Sequence, residues 1–84
     1  MDFEKEVRNR CREIADMLVK KNEAYGNSAL DPVRIFSSAD PVEQLKVRID
    51  DKLSRILCGQ GSSEDTIADL IGYLILLRMA SDAE

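Results

Sequence analysis

Residues 63–80, SEDTIADLIGYLILLRMA, constrain the fold of this chain more than any other stretch. At about 100° per residue, Ile67, Leu70, Ile71, Leu74 and Ile75 form one side of a helix, while Tyr73, Leu76 and Leu77 spread onto the other. A helix apolar nearly all round is buried nearly all round. The chain has 84 residues, and the rest of it can supply only two more helices, which hardly suffice to cover this one. The expectation is a homo-oligomer in which this helix packs against its symmetry mate. Its uninterrupted apolar run, LIGYLILL, is far too short to span a bilayer, so no membrane partner is expected.

Two amphipathic helices precede it. Phe3, Val7, Cys11, Ile14, Ala15 and Leu18 make one stripe of a helix over about 3–24, with charged residues opposite. Asp40-Pro41-x-Glu43 then supplies an N-cap, a first-turn proline and a capping-box partner. The helix this starts runs over 41–58, with Val42, Leu45, Ile49, Leu53, Ile56 and Leu57 as its stripe, until CGQGSS ends it. Ser62 or Ser63 caps the third helix, and Glu64 and Asp65 favour its dipole.

Between the first two helices lies GNSALDPVRIFSSADP. Gly26-Asn27-Ser28 ends one helix, and Asp31-Pro32 suits a short helical turn near 32–37, with Ile35 and Phe36 pinning the connection to the core. No strand pattern competes. The fold class is therefore all-α: one domain, 1–84, with three main helices (about 3–24, 41–58 and 63–80) and a short helical turn near 32–37, packed as a homo-oligomeric helical bundle.

The net charge of −4 and the lack of a dominant Lys/Arg cluster argue against duplex nucleic acid as a partner, while leaving room for a local basic pocket that holds one small anion. Histidine is absent, which removes His-dependent triads, His general bases and His-ligated metals. Any metal would rest on carboxylates, which suits Mg²⁺ or Mn²⁺. Cys11 and Cys58 form no CxxC, and no secretory leader is expected before the charged start MDFEKEVRNR. A cytoplasmic chain is expected, with both thiols reduced and packed as small hydrophobes and a disulfide as the lesser alternative.

Polar residues sit at the edges of all three apolar stripes. Arg48, Asp51, Lys52 and Arg55 are spaced i, i+3, i+4, i+7 and share a face beside the second stripe. They make either a solvated surface with intrahelical ion pairs or a pocket wall that grips phosphate. Asp65, Asp69 and Tyr73 form a second line. Asp69 sits in a strongly apolar helix and is expensive to bury unpaired. It forms either a salt bridge to Arg48, Lys52 or Arg55, or a carboxylate facing a metal or a ligand hydroxyl. Tyr73 is equally compatible with a core aromatic whose hydroxyl reaches the rim. In KNEAYGN, Lys21, Asn22 and Tyr25 continue the stripe of Val7, Cys11, Ile14 and Leu18. They are either a plain C-terminal cap or a ligand wall. Three polar elements, each beside an apolar stripe, suggest one shared pocket.

The same segments carry a resemblance. KNEAYGN, VRIDDKLSRI and EDTIADLIGYLILL resemble the small phage and bacterial proteins of the nucleotide modification associated domain 1 family, with their K-N-x-x-Y-G, D-K-x-x-R and D-x-x-x-D-L-x-x-Y elements. The match runs over residues 20–77. More distantly the chain is similar to the all-α nucleotide pyrophosphohydrolases of the MazG and dimeric dUTPase type, helical oligomers that bind Mg²⁺ through E-x-x-E and E-x-x-D pairs. Those pairs are broken here: Arg55 stands one turn beyond Asp51, and Thr66 stands three before Asp69.

The resemblance implies a nucleotide-related ligand, and the residues favour binding over hydrolysis. The leading expectation is a non-enzymatic, homo-oligomeric binder with no catalytic residue and no cofactor. By analogy, a phage origin would suit sequestration of a host nucleotide immune signal in the host cytoplasm. Lys21, Arg48, Lys52 and Arg55 would hold phosphate, and Tyr25 and Tyr73 would stack or hydrogen-bond. Asn22, Asp51 and Asp69 would contact sugar or base edges or orient the cations. One alternative is an Mg²⁺-dependent nucleotide pyrophosphohydrolase with metal on Asp51, Asp65 and Asp69, helped by Glu64. Another is a structural module whose charges only cement an oligomer.

Overall fold

The computed structural model describes residues 1–59 and 64–83, with only the backbone described at 64 and 65. Three α-helices make up the chain: α1 (Phe3–Tyr25), α2 (Pro41–Leu57) and α3 (Glu64–Asp82). No strand occurs among the described residues.

The helix ends follow from local chemistry. Asp2 caps α1 by accepting from the Lys5 amide at 3.2 Å, and Glu4 and Glu6 place negative charge in the first turn. On its solvent face, Arg8 pairs with Glu4, and Arg10 with Glu6 and Glu13. Gly26 closes α1 in the left-handed conformation (φ 62°), its amide donating to the Asn22 carbonyl. Asn27 is left-handed too, and its carbonyl accepts from the amides of Leu30 and Asp31. For α2, Asp40 caps as expected, its carboxylate accepting from the Glu43 amide at 2.9 Å, and Pro41 opens the helix. The reciprocal half of the capping box does not form; the Glu43 carboxylate pairs with Lys46 at 3.3 Å. Cys58 and left-handed Gly59 end α2. The expected Ser62 or Ser63 cap of α3 lies outside the described residues.

The connection corrects one expectation. No helical turn forms near 32–37; the segment is irregular, with a bend at 35–36. So short a stretch, with β-branched Val33 and Ile35, does not meet the cost of helix nucleation. Nor do Ile35 and Phe36 reach the core, since Val33, Ile35 and Phe36 are all exposed. Polar contacts hold the loop instead: Gln44 donates to the Ala39 carbonyl, and the Ala39 amide to Ser37.

α3 is the central element. α2 packs extensively along it and α1 sparingly, while α1 and α2 do not pack on one another. Gly72 lets α1 come close to α3, because a Cβ there would lie 3.1 Å from a Leu18 methyl and 3.2 Å from the Met17 methyl. The buried core is small. Among the described residues, Ile14 and Leu45 are the buried hydrophobic side chains. Much of each expected stripe stays in contact with solvent: Phe3, Val7, Cys11 and Ala15 on α1, and Leu53, Ile56 and Leu57 on α2. Cys11 and Cys58 are free and exposed rather than packed as small hydrophobes. On α3, Ile67, Ile71, Leu74, Ile75 and Met79 are also exposed, so one chain leaves that helix half uncovered. No helix of the described residues is long and apolar enough to cross a membrane.

Candidate functional site

Because α1 and α2 both lie against α3 but not against each other, a cleft opens between them with α3 as its floor. It forms a cavity of about 350 Å³, within the size range of small-molecule sites. α1 contributes Met17, Leu18, Lys21, Asn22 and Tyr25, one continuous helical face. α3 contributes Asp69, Gly72, Tyr73 and Leu76 at the same kind of spacing. Arg48 comes from α2, and the left-handed turn at Gly26-Asn27 brings round Ser28 and Ala29. The apolar stripe of α1 thus turns polar where the cleft opens.

Asp69 is the electrostatic centre. Lys21 Nζ lies 3.2 Å from its Oδ1 and Lys52 Nζ 3.4 Å from its Oδ2, so one carboxylate ties all three helices together. The two lysines differ in environment. The Lys52 side chain is 14% exposed and that of Lys21 55%, with Asp69 at 25%. Burial of Asp69 in an apolar helix is offset by these two charges. The Arg48 guanidinium stands 5.9 Å from the Tyr73 ring centroid, a cation–π distance, and makes no ion pair among the described residues.

Of the nine residues singled out in the sequence, six line the cavity: Lys21, Asn22, Tyr25, Arg48, Asp69 and Tyr73. Lys52 stands behind the wall and holds Asp69. Asp51 and Arg55 do not line the cavity. They pair with each other at 3.1 Å along α2, both more than half exposed, and so follow the solvated-surface alternative. Asp69 takes the salt-bridge alternative, through Lys52 as anticipated and also through Lys21. The metal alternative required Asp51, Asp65 and Asp69 on one ion. The carboxylates of Asp51 and Asp69 are both engaged by basic side chains, and the Asp65 side chain is outside the described set. Among the described residues no group of three carboxylate or thiol side chains is placed to hold a metal.

Sequence reading missed Met17, Ser28, Ala29 and Gly72. A lone glycine inside a strongly apolar helix was a visible signal for Gly72, since it costs about 1 kcal/mol relative to alanine and marks close packing. Nothing in spacing alone pointed to Ser28 and Ala29, which the turn geometry places. Comparison of the chain with protein-family models, with curated proteins and with solved structures finds no match.

Proposed function

We propose that this chain binds a nucleotide or nucleotide-derived small molecule in the cleft between α1 and α2 over α3, without cleaving it, as a homo-oligomer. The observation that carries the reading is the convergence of side chains from three helices on one cavity that combines cations, an amide and aromatics. Lys21 and Arg48 offer charge-assisted hydrogen bonds to phosphate. Tyr25, with its ring largely exposed at the mouth, offers a stacking face. Asn22 carries both donors and an acceptor for a base or sugar edge. Met17, Leu18 and Leu76 supply the apolar wall. Two basic side chains on Asp69 favour an anion over a metal.

Surface area supports self-association. A folded monomer of 9.4 kDa exposes about 5,000 Å² by the usual scaling, whereas this chain exposes 6549 Å². The excess, roughly 1,500 Å² per chain, is what stable obligate interfaces cover on each partner. Retention of an intact ligand is the behaviour of a sequestering protein. A phage-encoded protein that removes a host nucleotide signal fits it, on the resemblance alone.

Titration calorimetry against mono-, di-, tri- and cyclic nucleotides without metal tests the binding. Heat from one class, with no pyrophosphate released after long incubation with Mg²⁺, is the expected result. Metal-dependent release lost in Asp69→Asn would instead establish the pyrophosphohydrolase.

A further inference from the structure

The geometry points to a single-phosphate ligand, a nucleoside monophosphate, with Lys21 as the phosphate-binding residue that leaves Asp69 when the ligand arrives; this rests on the nucleotide-binding reading of the cleft. The inference begins with the two lysines on Asp69. Lys52 is mostly buried, so removing it from the carboxylate would strand two partly desolvated charges. Lys21 is more than half in water, and its pairing is weak and readily exchanged. When Lys21 turns to a phosphate, Lys52 keeps Asp69 neutralised. The second lysine makes the first one available.

Charge sets the phosphate number. Lys21, Lys52 and Arg48 against Asp69 leave the site with two positive charges. A phosphate monoester, with about two negative charges near neutral pH, balances that. A triphosphate would bring further negative charge that nothing among the cavity's described residues compensates, on a chain whose own net charge is −4. Size agrees. A cavity of about 350 Å³ is at the small end of ligand sites and suits one nucleoside rather than the two of a cyclic dinucleotide. Position agrees as well. Arg48 already stands over the Tyr73 ring, which leaves Tyr25 as the free stacking face for the base.

The test is calorimetry on the whole protein with the mono-, di- and triphosphates of adenosine, guanosine, cytidine and uridine, the unphosphorylated nucleosides, and cyclic di-AMP and cyclic di-GMP. One monophosphate should bind at least tenfold tighter than its own di- and triphosphate and than its nucleoside. Lys21→Met should weaken that monophosphate more than tenfold without lowering the melting temperature by more than a few degrees, and Lys21→Arg should restore most of the affinity. Tighter binding of a triphosphate or a cyclic dinucleotide overturns the single-phosphate inference and leaves the nucleotide reading standing. Unchanged affinity in Lys21→Met overturns the role of Lys21. Absence of heat with every compound overturns both the inference and the reading beneath it.

Discussion

At the scale of single residues, the pairing of Asp69 decides both stability and ligand access. A carboxylate shared by a mostly buried lysine and a mostly exposed one has two unequal partners. Lys52→Ala should cost about 1–2 kcal/mol, the range for a partly buried ion pair losing one member. Lys21→Ala should cost at most about 0.5 kcal/mol. Double-mutant cycles with Asp69→Asn, read by denaturant unfolding, should give the larger coupling to Lys52, and equal couplings would show that burial does not separate the two lysines. The need for a partner was legible in the sequence, because an aspartate one turn into an apolar helix cannot stay unpaired. The identity of Lys21 was not. It lies 48 positions away, and helical spacing defines faces without saying which faces meet. Gly72 is the complementary case. Its Cα faces the methyl ends of Leu18 and Met17, so Gly72→Leu crowds the α1–α3 contact. Overpacking of that kind costs about 1–3 kcal/mol and would also close the cavity, measurable as a lower unfolding midpoint together with lost ligand heat.

At the scale of elements, the start of α2 and the end of α1 were legible because each rests on local hydrogen bonding that the sequence specifies. Asp40 followed by Pro41 fixes the start of α2, and Asp40→Ala should destabilise by about 1 kcal/mol through the lost bond to the Glu43 amide. Gly26 fixes the end of α1. Nothing lies within 4 Å of the place its Cβ would take, so Gly26→Ala should cost about 1 kcal/mol by backbone strain alone. Asn27→Gly, at a φ of 64°, should be neutral or slightly stabilising, and thermal melts of the two variants separate strain from lost contacts. The 32–37 connection was not legible for the opposite reason. Asp31-Pro32 permits a helical turn but does not require one, and the few residues that follow, with β-branched Val33 and Ile35, do not repay its nucleation. The same segment leaves Ile35 and Phe36 in solvent, where the sequence suggested burial, and Val33 is exposed beside them.

For the whole molecule, the governing fact is an apolar helix with too little protein to cover it. Composition and periodicity made that conflict visible, because α3 has no polar face to turn outward, whereas α1 and α2 do. The three-helix unit leaves it unresolved within one chain: α1 and α2 take one side of α3, and Ile67, Ile71, Leu74, Ile75 and Met79 remain exposed as a stripe on the other. These positions recur at three- and four-residue spacing, so two copies of the stripe can face one another about a two-fold axis, with Arg78, exposed and paired with Asp82, toward the C-terminal end of the same face. The cleft lies on the covered side, where α1 crosses Gly72, so assembly through this stripe would leave the cavity open. Sedimentation velocity should find the wild-type chain as a dimer or larger at micromolar concentration, and Ile71→Glu combined with Leu74→Glu should yield a monomer with a markedly lower melting temperature. A wild-type chain that stays monomeric with a cooperative melt would show that so small a core and an ion-paired aspartate are enough to hold the fold. The low packing of α1 on α3 argues against that outcome, because a helix held by so few contacts needs its neighbour to be fixed first.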